Sequence, residues 1–145
     1  KQIEAARQQE IELTTIKTGM KVPVSPRDNH KVHLEFLLQD IGTKVQAQAQ
    51  NFNPDEIPIL KLEVEHGAQH VSYLASDKAN KELVKKYEQG LKDSTDAIKT
   101  LEKQQIDMAS AAAKEAQRLA KTPAEMAQVN EMQQQIQQKE SNLSL

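Results

Sequence analysis

From Asp77 to Lys121 the apolar and small positions recur at steps of three and four: Val84, Tyr87, Leu91, Ser94, Ile98, Leu101, Met108, Ala112 and Leu119. That spacing places them on one stripe of a helix. The residues between are mostly charged or amide, and the stretch holds no proline and one glycine, Gly90. It predicts one long amphipathic helix. A stripe of this kind is buried only by neighbours, from its own chain or from copies of it.

Upstream, Lys1–Thr18 reads as a helix with a weak stripe of Ile3, Ala6, Leu13 and Ile16, closed at Gly19 by a left-handed cap. Met20–Val24 alternates apolar residues around Lys21 and Pro23 and predicts a short extended segment, held to an edge or linker by Pro23. A second helix is expected from about Pro26 to Gln50, carrying Val32, Phe36, Leu37, Ile41 and Val45. A loop around Asn51–Ile57 leads to a third, from about Pro58 to Ala75, carrying Leu60, Val64, Val71 and Leu74. Gly67 lies inside it as a weak point, costing ~1 kcal/mol relative to alanine. A final helix, Pro123 to about Lys139, carries Met126, Val129, Met132 and Ile136 among glutamines, and Ser141–Leu145 is expected to fray.

One local device recurs. Ser25-Pro26-Arg27-Asp28, Asn53-Pro54-Asp55-Glu56 and Thr122-Pro123-Ala124-Glu125 each pair a capping residue with proline and then an acid. The capping side chain accepts from a free backbone N–H, proline suits the first helical position, and the acid faces the positive end of the helix dipole. All three predict helix starts, with a plain turn as the alternative; Ser76-Asp77 is a weaker fourth. The chain thus divides into residues 1–24, an N-terminal helix and extended linker; 25–76, a two-helix region; and 77–145, the long helix with a C-terminal helix.

Composition narrows the class. Hydrophobic residues make up 37% and aromatics 3%, below the roughly 45–50% apolar share of ordinary domains. A compact core from so little would be thin, which favours extended, self-associating helices. Nineteen basic and 21 acidic residues leave a net charge of −2, so tight electrostatic binding to a nucleic-acid backbone is not implied. There are no cysteines, which excludes disulfides and thiolate metal sites. No apolar run approaches the ~20 residues that span a bilayer.

Candidate chemistry is sparse. His30 and His33 are three apart and His66 and His70 four apart, so each pair shares a helix face. Two such helices could form a four-nitrogen metal site. No H-E-x-x-H motif accompanies them, and the spacing favours packing or capping histidines, with no metal or other cofactor expected. The four glycines are isolated, so no phosphate loop exists, and no serine sits in a nucleophile elbow. No enzyme activity is expected.

One segment carries a resemblance. Asp28-Asn29-His30-Lys31-Val32-His33-Leu34 resembles the D-[DN]-H-x-x-H-[IL] segment near the C-terminus of many tailed-phage portal proteins, the head-to-tail connectors. In that family the segment opens a helix, and a second histidine-bearing helix follows. Glu65–Leu74, with His66 and His70, looks like that second element, although Phe36-Leu37-Leu38 stands where many relatives carry another histidine. The long helix and glutamine-rich tail then look like the crown and barrel helices.

The resemblance implies an all-α extended region whose helices pack laterally in a ring, as crown and helical barrel, in a homo-oligomer that is usually a dodecamer. Residues 25–76 would be crown-like and residues 77–145 barrel-like. The stripe of Val84, Tyr87, Leu91, Ile98, Leu101 and Met108 would form the subunit interface. The ring would conduct double-stranded DNA non-specifically during packaging and ejection, at the capsid-interior side of the portal vertex, and could meet internal core or ejection proteins. No membrane is involved, and the ATPase belongs to the terminase motor. The rival readings are a free-standing coiled-coil scaffold or internal virion protein, and a four-helix metalloprotein using His30, His33, His66 and His70.

Overall fold

The computed structural model describes residues 2–143, and the described residues are helical with no strand. Five α-helices follow in order: α1 Gln2–Ile16, α2 His30–Gln50, α3 Glu56–Ala75, α4 Lys81–Leu119 and α5 Pro123–Leu143. A single 3-10 turn, Lys78–Asn80, precedes α4. None of these helices is long and apolar enough to cross a membrane. The chain divides into two compact units after Ile98, so α4, 39 residues long, contributes to both.

The punctuation residues explain the boundaries. Gly19 adopts φ +86° and its N–H donates to the Ile16 carbonyl at 2.8 Å, ending α1 as the sequence predicts. Met20–Val24 is irregular and pairs with no strand. Ser25-Pro26-Arg27-Asp28 makes a turn rather than a helix start. The acid does reach back, accepting from the Ser25 N–H at 2.9 Å. The helix opens only at His30, because Asn29 is the cap, accepting from the Val32 N–H at 3.2 Å. Asn53 holds a similar turn, and α3 starts at Glu56, with Pro58 in the first turn where no donor is needed. Thr122 caps α5 as expected: its hydroxyl accepts from the Glu125 N–H at 3.2 Å, and it donates to Oε1 of Glu125 at 3.0 Å, so the acid reaches back to the hydroxyl. Asp77 caps the 3-10 turn, accepting from the Ala79 N–H, so α4 begins four residues later than its pattern suggests. α5 runs on through Leu143, past the expected fraying point; the end of that segment lies outside the described residues.

In the first unit α1, α2 and α3 pack together, joined by the N-terminal part of α4. The α2–α3 corner is bracketed by Gln48, which donates to the Asn53 carbonyl at 3.1 Å and accepts from the Asn53 N–H at 2.7 Å. Leu34 of α2, Val71 of α3, and Tyr87 and Leu91 of α4 form one buried cluster, with Val84 and Leu38 packed against it. At Gly67 side chains of α2 and α4 press close on α3. A methyl there would lie 2.8 Å from a Leu37 methyl and 2.9 Å from a Leu91 methyl. Gly67 is therefore a packing requirement more than a helix defect.

Most residues expected at the subunit seam are packed within their own chain. Tyr87 and Leu91 are covered by α2 and α3 of their own chain, Val84 packs on the same cluster, and Ile98 and Leu101 are also buried. Only Met108 of the expected interface is open, at 55% exposure. The heptad-like stripe reads equally as a face for copies or for the chain's own helices, and the two upstream helices supply the apolar face that covers its Val84, Tyr87 and Leu91 part. In the second unit Leu101, Ile106 and Ala113 of α4 and Val129 of α5 are buried, and Gln133 donates to Gln117 at 3.3 Å.

The α1 stripe is corrected. Ile3 is 77% exposed, and the inward face is Ala5, Gln9, Glu12, Leu13 and Ile16. Two of those five are polar, and one of them leads to the site.

Candidate functional site

Glu12 comes from the middle of α1, His33 from the first turn of α2, and His66 and His70 from successive turns of α3. All four are buried, His33 and His70 completely. One ligand-capable atom from each lies within 4.8 Å of the others. The first-turn position of His33 is fixed by the Asn29 cap, and the i,i+4 spacing of His66 and His70 puts both rings on the face of α3 that meets α1 and α2.

The polar distances form a chain. Glu12 Oε2 is 3.1 Å from His66 Nε2 and 3.3 Å from His33 Nδ1. His66 Nε2 is 3.2 Å from His70 Nε2, and His70 Nδ1 is 2.8 Å from His30 Nδ1. The outer nitrogens meet backbone carbonyls: His66 Nδ1 is 3.0 Å from the Val22 oxygen, and His30 Nε2 is 3.4 Å from that of Pro26. His30 also stacks on Tyr73, ring centroids 5.0 Å apart.

A carbonyl only accepts, so the proton of His66 belongs on Nδ1 and that of His30 on Nε2. His30 Nδ1 then accepts from His70 Nδ1. In their neutral forms both α3 rings turn a lone pair, on Nε2, toward each other, and that of His66 also faces Glu12. Both ring nitrogens of His33 lack a hydrogen bond although the ring is buried. Burial and the neighbouring His66, His33 and His30 rings push His70 down to about 3, which keeps it a free base. Burial alone would raise Glu12, but the His33 and His66 nitrogens that face it at 3.3 and 3.1 Å outweigh this whenever they carry a proton, and hold its carboxyl near 2.

All four sequence-singled histidines are thus brought together, with His30 on the outer edge. Of the remaining motif residues, Asn29 caps α2, Asp28 closes the preceding turn, Leu34 enters the core and Val32 is half-buried. Glu12 was not singled out. Its signal was a carboxylate in register with Ala5 and Ile16, visible only once the inward face of α1 is known.

A second buried polar group lies apart from this one. Lys44 pairs with Asp40 at 2.8 Å and with the fully buried Glu63. Burial outweighs the pairing and pushes Glu63 up to about 7, while its acidic partners raise Lys44.

No protein-family model, curated protein or solved structure matches this chain.

Proposed function

We propose that the chain is a structural virion component: the capsid-internal, C-terminal part of a phage portal, in a homo-oligomeric ring that conducts double-stranded DNA during packaging and ejection. One observation carries this reading. The two halves of the resembling motif, His30 with His33 and His66 with His70, are distant in sequence yet fold against one another as adjacent helices. The role is non-enzymatic, and internal core or ejection proteins are partners consistent with that position. A net charge of −2 suits a wall past which DNA slides without being gripped.

Because Tyr87 and Leu91 are covered within their own chain, the ring contacts are proposed at other residues. Among the described residues of the second unit, Met108, Leu119 and Met126, at 52–55% exposure, are the large apolar side chains left open. They are the residues proposed to meet neighbouring copies.

Imaging and native mass measurement of the purified chain test this directly. A closed ring, weakened by Met108→Asp or Met126→Asp, is the expected result. A monomer, or a dimer or trimer without a ring, overturns it in favour of a free-standing scaffold or internal virion protein.

A further inference from the structure

We propose that Glu12, His33, His66 and His70 form a closed, structural binding site for one divalent transition ion of the zinc class, which ties α1, α2 and α3 together. The inference does not depend on the portal reading, and it extends the histidine-only site that spacing suggests by replacing His30 with a carboxylate from α1.

The argument begins with unsatisfied atoms. A buried polar group without a partner costs about 1–3 kcal/mol, and His33 is wholly buried with neither ring nitrogen hydrogen-bonded. The carbonyl of Val22 fixes the His66 tautomer and His30 fixes that of His70. As neutral rings they therefore aim lone pairs at a carboxylate and at each other, over 3.1 and 3.2 Å. One added proton cannot repair this. Placed on His66 Nε2 it serves Glu12 or His70 but not both, and His33 is left with a single 3.3 Å contact from Nδ1 to the same Glu12 oxygen and nothing on Nε2. A single cation among the four accepts from all of them at once.

The dimensions suit that ion. Zinc bound at 2.0–2.2 Å by nitrogen and oxygen in a tetrahedron has ligand–ligand edges of about 3.3–3.5 Å. The separations here are 3.1, 3.2 and 3.3 Å for three of the edges, and the remaining ones, within 4.8 Å, would close in as the side chains draw onto the ion. Three imidazoles and a carboxylate are a donor set of the borderline kind such ions take. Four protein ligands, all buried, leave no open position for substrate, which marks a structural site rather than a catalytic one. The outer hydrogen bonds from His66 to Val22 and from His70 to His30 are the orienting contacts that metal-bound imidazoles ordinarily make.

The test uses the full chain, stripped with a chelator and titrated with Zn²⁺ or Co²⁺ alone. One ion per chain is expected, with the intense visible absorption of four-coordinate cobalt and a melting temperature that rises with metal concentration. Glu12→Gln and His33→Ala should abolish the cobalt spectrum. His30→Ala, which removes only an orienting partner, should keep the stoichiometry and weaken affinity about 10–100-fold. A stripped wild-type chain that takes up well under one ion, or folded Glu12→Gln and His33→Ala chains that bind as wild type does, overturns the proposal. The wild-type stoichiometry decides even if both variants unfold.

Discussion

The Nδ1 atoms of His30 and His70 lie 2.8 Å apart, so one ring donates to the other across the α2–α3 contact. Because the outer nitrogen of His30 faces the Pro26 carbonyl, His70 is the donor. His30→Ala leaves that buried N–H without an acceptor and removes the stacking on Tyr73. The expected loss is about 1–3 kcal/mol in denaturant unfolding of the metal-free chain. An unchanged midpoint would mean that the two rings do not depend on each other.

Leu91→Ala tests how the stripe is covered. Leu91 is covered within its own chain, so truncation should destabilise folding by about 2–5 kcal/mol. The loss should be the same at low and high protein concentration. If Leu91 were a seam between copies, the effect would grow on dilution, and melts over a wide concentration range separate the two.

The stripe also marks how far the sequence could be read. Periodicity identified the helices, and Gly19 and the Thr122 cap set two ends correctly, because caps are local hydrogen-bond chemistry. Hydrophobic burial is non-directional, so the same heptad spacing could not say whose surface covers Tyr87 and Leu91. Asn29 displaced Ser25 as a helix start because both residue types cap well and only the folded chain selects between them. The histidines were conspicuous as spaced pairs. Glu12 was one of three acids on α1, and nothing in the linear sequence separates it from the exposed Glu4 and Glu10.

Glycine substitutions should diverge. Gly42 is exposed within α2, with open space where a methyl would stand. Gly42→Ala should therefore stabilise by up to about 1 kcal/mol through helix propensity. Gly67→Ala gains the same propensity but drives a methyl into Leu37 and Leu91, and overpacking of this kind costs about 1–3 kcal/mol. Thermal melts should show Gly42→Ala above wild type and Gly67→Ala at or below it.

Glu63 gives a pH signature. Its pKa is raised from 4.5 to about 7 in the folded chain, chiefly by burial, with Lys44 and Asp40 facing it. Folding therefore favours the protonated form. That contribution is complete below pH 4.5 and is lost as pH rises through about 7. Glu12, held near 2, acts oppositely and only below its ordinary value of 4.5. Glu63→Gln should flatten the fall in stability between pH 5 and 7.5 by about 2–3 kcal/mol. An equal slope in both proteins would contradict a buried, proton-retaining Glu63.

The measurement that bears most directly on the buried site is X-ray absorption at the zinc edge of the reloaded full chain. The account predicts four light-atom ligands at about 2.0–2.1 Å with the outer-shell scattering of three imidazoles. A six-coordinate, water-rich shell, or one with fewer than three imidazoles, would contradict it.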